Sequence, residues 1–147
     1  MSEKFTRLTD SFHVTPQISP DDVAVAAADG FTLIVNNRPD GEMIGQPTSA
    51  EIEAAAKAAG LQYAYIPVDG SGIGESHISA LKIALKSAGN KKTLAFCRSG
   101  TRSTIVFAYL AAAEGREPAA IISEAAMAGY DIRGHAPALE ALYQSAN

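Results

Sequence analysis

The single cysteine of the chain, Cys97, lies in the run Cys97-Arg98-Ser99-Gly100-Thr101-Arg102-Ser103. An apolar, β-prone stretch, Thr93-Leu94-Ala95-Phe96, precedes it, and an apolar helical stretch from Thr104 to about Glu114 follows it. A loop between a strand end and a helix start meets unpaired N–H groups and the positive end of the helix dipole, which favour an anion. The same field stabilises a thiolate, the reactive form of cysteine. Gly100 permits a tight turn and close backbone approach. Arg102 can grip an oxyanion with two parallel hydrogen bonds. Ser103 and Thr104 offer hydroxyl donors to a thiolate or a leaving sulfur. The pattern reads as a cradle for a tetrahedral oxyanion with Cys97 as its nucleophile, lined by Arg98, Ser99, Gly100, Thr101 and Ser103. A free cysteine is otherwise commonly buried and inert, but glycine at +3, arginine at +5 and serine at +6 go beyond that use.

The elements that must hold this loop follow from the rest of the pattern. Phe31–Val35, Leu61–Ile66 and Thr93–Phe96 read as strands, with Phe12-His13-Val14 a weaker fourth. Ser19-Pro20-Asp21-Asp22 opens a helix that stops at Gly30, and Thr48-Ser49-Ala50-Glu51 is a capping box opening one that ends near Gly60. Ile78, Leu81 and Leu85 stripe a helix from Ser76 to Gly89, and two more are expected over about 118–128 and 137–146. Alternating strands and helices imply an α/β fold: one domain over residues 1–147, with a mostly parallel central sheet of about four strands and helices on both faces. The irregular segments 36–47 and 69–75 and the Cys97 loop each follow a strand. In such sheets these ends line the ligand crevice.

Composition narrows the function classes. Apolar residues make up 47% and charged residues 19% of 147, an ordinary globular balance. Net charge is −4, so the broad basic face of a nucleic-acid binder is not expected. No run approaches a membrane span, and no hydrophobic stretch follows Met1-Ser2-Glu3-Lys4 as a secretory signal requires. One cysteine gives neither an internal disulfide nor a resolving thiol, which fits a reducing, cytoplasmic setting. His13, His77 and His135 show no metal-ligand spacing, so no metal or cofactor is expected. The expected partner is a small anionic or phosphorylated molecule.

The cradle loop resembles both Cys-based protein phosphatases and rhodanese-type sulfurtransferases. Val14–Asp22, Val35-Asn36-Asn37-Arg38-Pro39-Asp40-Gly41-Glu42, Gln46-Pro47, Tyr65–Val68 and Cys97–Ser103 together resemble the beta-lactamase-hydrolase-like, phosphatase-like domain family, from about Phe5 to Gly129. That resemblance implies a fold like the dual-specificity and tyrosine phosphatases. It implies phosphate-ester hydrolysis through a phosphocysteine on Cys97, with Arg102 as the clamp. Phosphatases of this fold place an acidic residue upstream of the cysteine to protonate the leaving oxygen. Asp69, 28 residues before Cys97, matches it best. Asp40 is the fallback, and Asp before Gly is also a common turn signal. Arg38 can hold a remote part of the substrate or pair with Glu42.

Two departures shift weight toward sulfur. Four residues separate Cys97 from Arg102, one fewer than in ordinary phosphatases and equal to the rhodanese spacing. Phe96 stands where phosphatases usually have histidine. The alternatives are therefore a sulfurtransferase carrying a Cys97 persulfide, which needs no general acid, and a non-catalytic oxyanion-binding module.

Overall fold

In the computed structural model, residues 5–146 are described. Five strands form one sheet: β1 (Thr6–Arg7), β2 (Phe12–Thr15), β3 (Leu33–Asn36), β4 (Gln62–Tyr65) and β5 (Thr93–Phe96), in spatial order β1-β2-β5-β3-β4. β2, β5, β3 and β4 run parallel, and only β1 is antiparallel, pairing Thr6 with Val14 and Arg7 with His13. The sheet thus has one strand more than expected. A two-residue edge strand carries no alternation that a sequence can display.

Among the described residues, six α-helices accompany the sheet: α1 (Pro20–Ala28), α2 (Ser49–Ala58), α3 (Glu75–Ser87), α4 (Thr101–Ala113), α5 (Pro118–Met127) and α6 (Ala136–Ala146). The expected starts hold for local reasons. Ser19 Oγ accepts from Asp22 N–H while the Asp22 carboxylate accepts from Ser19 N–H. Thr48 and Glu51 do the same for α2. Each pair satisfies two donors that a helix start would otherwise leave unpaired.

Alternation along β3 and β5 splits the core. Leu33, Val35 and Ala95 face one side with Leu81 of α3 and Val106 and Leu110 of α4. Ile34, Leu94 and Phe96 face the other with Val23 and Ala26 of α1 and Ile52 and Ala56 of α2. A third cluster joins α4, α5 and α6 through Ala108, Ala111, Ala112, Ile121, Ala125, Ile132 and Leu139. The alanines of α4 let these helices approach closely.

β5 lies in the middle of the sheet, so all four residues of Thr93–Phe96 are buried, as a strand covered on both faces requires. That burial is what fixes the position of Cys97, the next residue. Leu94 is 0% exposed, and Leu94→Ala is expected to cost about 3 kcal/mol by cavity formation. Ile83, 64% exposed on α3, should change stability by less than about 0.5 kcal/mol as Ile83→Ala. Urea unfolding of both variants checks the contrast.

Candidate functional site

Three parallel strands deliver the site. At their carboxyl ends Asn37 N–H donates to Phe96 O at 2.8 Å, and Val68 N–H donates to Asn37 O at 3.0 Å. The segments after β3, β4 and β5 are thereby tied together beyond the sheet ladder. Gln17, after β2, joins them: its N–H donates to Arg98 O at 3.3 Å.

Cys97 is 1% exposed and free. The chain turns at Gly100, where φ is +95° and ψ −9°, and α4 begins at Thr101. The expected start at Thr104 is therefore corrected by three residues. The left-handed Gly100 ends the loop so early that Thr101, Arg102 and Ser103 already form the first turn. Gly100 N–H donates to Cys97 Sγ at 3.1 Å. A Cβ at Gly100 would also run into the Tyr130 hydroxyl. Tyr130 closes over the loop and donates to Ser99 O at 3.1 Å. Burial, and then the nearby Cys97 charge, push the Tyr130 phenol above its ordinary range. Tyr130 follows α5 and belongs to no motif, so nothing in the sequence singles it out.

Arg102 reaches across to the neighbouring loops. Its Nη1 donates to Glu42 Oε2 at 2.7 Å and to Val68 O at 2.8 Å, and its Nη2 donates to Glu42 Oε1 at 2.9 Å. Arg38 Nε also donates to Glu42 Oε1, at 2.9 Å. Hydrogen bonds from Arg102, then those from Arg38, hold the Glu42 carboxyl down at about 2 despite some desolvation. The same contact keeps Arg102 firmly protonated, and Cys97 adds to that effect.

The remaining expected residues separate. Ser103 is buried, and its hydroxyl donates to Asn37 Oδ1 at 2.8 Å. Asn37 Nδ2 donates to Ile66 O at 2.9 Å. A carbonyl only accepts, so the amide orientation follows, and Ser103 must be the donor to Asn37. Its proton is thus committed away from sulfur. Thr104 Oγ1 donates to Gly100 O at 2.8 Å. Ser99 and Thr101 share a hydroxyl contact of 2.9 Å at the rim. Arg98 is exposed there. Arg38 is buried at 4% exposure, bonded to Glu42 and to Gln17 Oε1. It takes the pairing role named in the sequence rather than an open position at the rim.

Asp69 is exposed, and its Oδ1 accepts from Ser71 N–H at 2.9 Å and Ser71 Oγ at 2.6 Å. The Ser71 hydroxyl, then the Ser71 amide, lower its carboxyl below the usual range. Asp69 follows Val68, whose carbonyl Arg102 holds, so its turn stands beside that guanidinium. Asp40 Oδ1 accepts from Ser49 N–H at 2.7 Å, supporting the start of α2. His77 Nδ1 accepts from Gly74 N–H, closing the other end of the Asp69 segment. Among the described residues, no group of three His, Cys, Asp or Glu is placed to hold a metal ion.

Two outcomes follow from this geometry. Gly100→Ala is expected to cost about 1–2 kcal/mol through positive-φ strain alone, with a further loss as Tyr130 is displaced; thermal melts measure it. Glu42 titrates lower in the folded chain than in the unfolded one, so its stabilisation is full above about pH 4.5 and lost as pH falls toward about 2. Glu42→Gln should flatten that acid limb in denaturant titrations at several pH values. It should also lower stability at pH 7, because the buried Arg38 loses its carboxylate.

Residues 4–114 match the family described as beta-lactamase hydrolase-like protein, phosphatase-like domain. The beta-lactamase hydrolase-like protein of Agrobacterium fabrum is 35% identical over 113 residues, 77% of this chain and 26% of that protein. A protein of the same name from Xylella fastidiosa (strain Temecula1) is 34% identical over the same share. The chain thus spans about a quarter of the length of these curated relatives. A crystal structure described as a "putative phosphatase" from Neisseria meningitidis Z2491 superposes with TM-score 0.82 at 27% identity, covering 96% of this chain and 99% of that one. PTPMT1, solved with PI(5)P, shares the fold at TM-score 0.74 and 15% identity, covering 98% and 97%. The α/β sheet with its cysteine loop is accordingly a tyrosine-phosphatase-like fold. With three quarters of its length inside the matched segment, this chain belongs to the phosphatase-like domain family of the beta-lactamase hydrolase-like proteins.

Proposed function

We propose that the chain is a Cys-dependent, phosphatase-type enzyme acting on a small phosphorylated molecule, with Cys97 as nucleophile. The observation that carries this is the Gly100 N–H at 3.1 Å from Cys97 Sγ, at the start of α4 and two residues before Arg102. An amide donor, a helix N-terminus and a guanidinium all favour negative charge there. Cys97 attacks phosphorus in line, the bond to the leaving oxygen breaks, and a phosphocysteine forms. Arg102 and the amides of Arg98, Ser99, Gly100, Thr101 and Ser103 stabilise the spread charge, since positioning and electrostatics supply most of the catalysis in phosphoryl transfer. Asp69 protonates the leaving oxygen and then takes a proton from the water that cleaves the P–S bond. The PI(5)P complex of PTPMT1 supports a phosphate ester of a small molecule as the substrate class.

A second reading has its own support. Ser71 draws the Asp69 carboxyl below its usual range, and the Ser103 proton goes to Asn37. Both favour a route that asks for no proton donor, and the loop has the rhodanese spacing. In sulfur transfer, the Cys97 thiolate attacks the sulfane sulfur of thiosulfate, the S–S bond breaks, sulfite leaves, and a persulfide remains for an acceptor such as cyanide. That route uses no general acid.

We place the protein in the cytoplasm, where a lone thiol stays reduced. None of the described helices is long and apolar enough to cross a membrane.

One assay set separates the readings: p-nitrophenyl phosphate, and thiosulfate with cyanide, given to wild type, Cys97→Ser and Asp69→Asn. Phosphatase turnover abolished by Cys97→Ser and lowered about 100-fold by Asp69→Asn is the expected result. Thiocyanate formation that needs Cys97 and ignores Asp69 establishes the second reading. Full activity in Cys97→Ser removes both.

A further inference from the structure

The hydrogen bonds of Arg102 reveal which edge of the guanidinium is available. Of its five N–H groups, the two on Nη1 go to Glu42 Oε2 and Val68 O, and one on Nη2 goes to Glu42 Oε1. Glu42 therefore occupies the end-on edge formed by Nη1 and Nη2. The side edge remains, made by Nε–H and the second Nη2–H. That edge can chelate an oxyanion with two parallel bonds, and Cys97 lies against the same guanidinium. Glu42 does not block the clamp; it holds the adjacent edge, which shares Nη2 with the free one.

Glu42 is in turn held by Arg38. Arg38 sits at the end of β3, where Asn36 Oδ1 accepts its backbone N–H at 2.8 Å. Its side chain is 5% exposed, with Nε on Glu42, Nη1 on Gln17, and a buried Nη2 that makes no hydrogen bond. A buried guanidinium with a donor to spare depends strongly on the one carboxylate it has. Gln17 binds Arg98 O through its own backbone, so Arg38 is braced against the cradle from a second side.

We propose that Arg38 and Glu42 are positioning residues that act through Arg102: buried Arg38 fixes Glu42, and Glu42 turns the side edge of Arg102 toward the anion above Cys97. Arg38 thus serves the anion without touching it. The proposal rests on the reading of Cys97 and Arg102 as an anion cradle, whichever of phosphorus or sulfur it holds.

The sign of one measurement tests it. Glu42 is negative, so by charge alone its removal would make the site more attractive to anions. Removal of a positioning group does the opposite. Iodoacetate and iodoacetamide alkylate a thiol at the same carbon, and only iodoacetate is anionic. The ratio of their rates on Cys97 at one pH reports anion capture without any substrate being known. Wild type is expected to prefer iodoacetate. Glu42→Gln and Arg38→Met should each lower the ratio, about 3- to 10-fold for groups that act through a shared contact. In an Arg102→Ala background neither change should move the ratio further. Circular dichroism on each variant restricts the comparison to folded protein, and Glu42→Asp provides a shorter carboxylate should Glu42→Gln not fold. A ratio that is unchanged or raised in the Glu42 and Arg38 variants overturns the proposal. So does an equal fall in the Arg102→Ala background, which marks general loosening. If wild type itself shows no preference for iodoacetate, the cradle reading fails, a result distinct from failure of the relay.

Discussion

The backbone at Gly100 is the constraint on which the site depends. With φ at +95°, the chain leaves the buried strand β5 and enters α4 within four residues of Cys97. No residue with a side chain adopts that conformation without strain, and Tyr130 fills the space where a Cβ would go. Two consequences follow at once. The Gly100 amide points at Cys97 Sγ, and Arg102 becomes the second residue of a helix rather than part of a loop. Its guanidinium is then projected from a rigid element, and its direction is set by what it meets outside the helix.

What it meets comes from two other strand ends. β3 leads to Glu42 and Arg38, β4 to Val68, and the three segments share hydrogen bonds before any ligand is present. Such preorganisation is the form in which a protein contributes most to stabilising developing charge. The same network assigns protons. Asn37 takes that of Ser103, Ser71 draws the Asp69 carboxyl below its usual range, and two arginines hold Glu42 down at about 2. The site is rich in fixed positive donors. That surplus keeps sulfur chemistry in view beside phosphoryl transfer.

Much of the fold was legible because its signals are local or periodic. Ser19 and Thr48 announce α1 and α2 as caps, and Phe31–Val35 and Thr93–Phe96 read as strands from their apolar, β-prone composition. β1 was missed because two residues cannot show a period, and its pairing with β2 is a tertiary fact. In the site, Cys97, Gly100 and Arg102 were legible as a motif, and the Arg38–Glu42 pair as a spacing of four. α4 starts three residues before the expected Thr104 because the left-handed Gly100 takes the cap position. The link from Glu42 to Arg102 joins residues 60 apart in the chain, and that from Tyr130 to Ser99 spans 31. Neither distance leaves a trace in local pattern.

Tyr130 also bears on what counts as a self-sufficient module. The stretch that matches the family ends at residue 114, before α5, α6 and the tyrosine that closes over the Cys97 loop. Ala108 and Ala112 of α4 are covered by Ile121, Ala125 and Leu139 from beyond that point. A graft that moved only the matched stretch into another protein would carry Cys97 and Arg102 but bare one flank of α4. The Cys97 loop is thus roofed by a residue that the matched stretch leaves out.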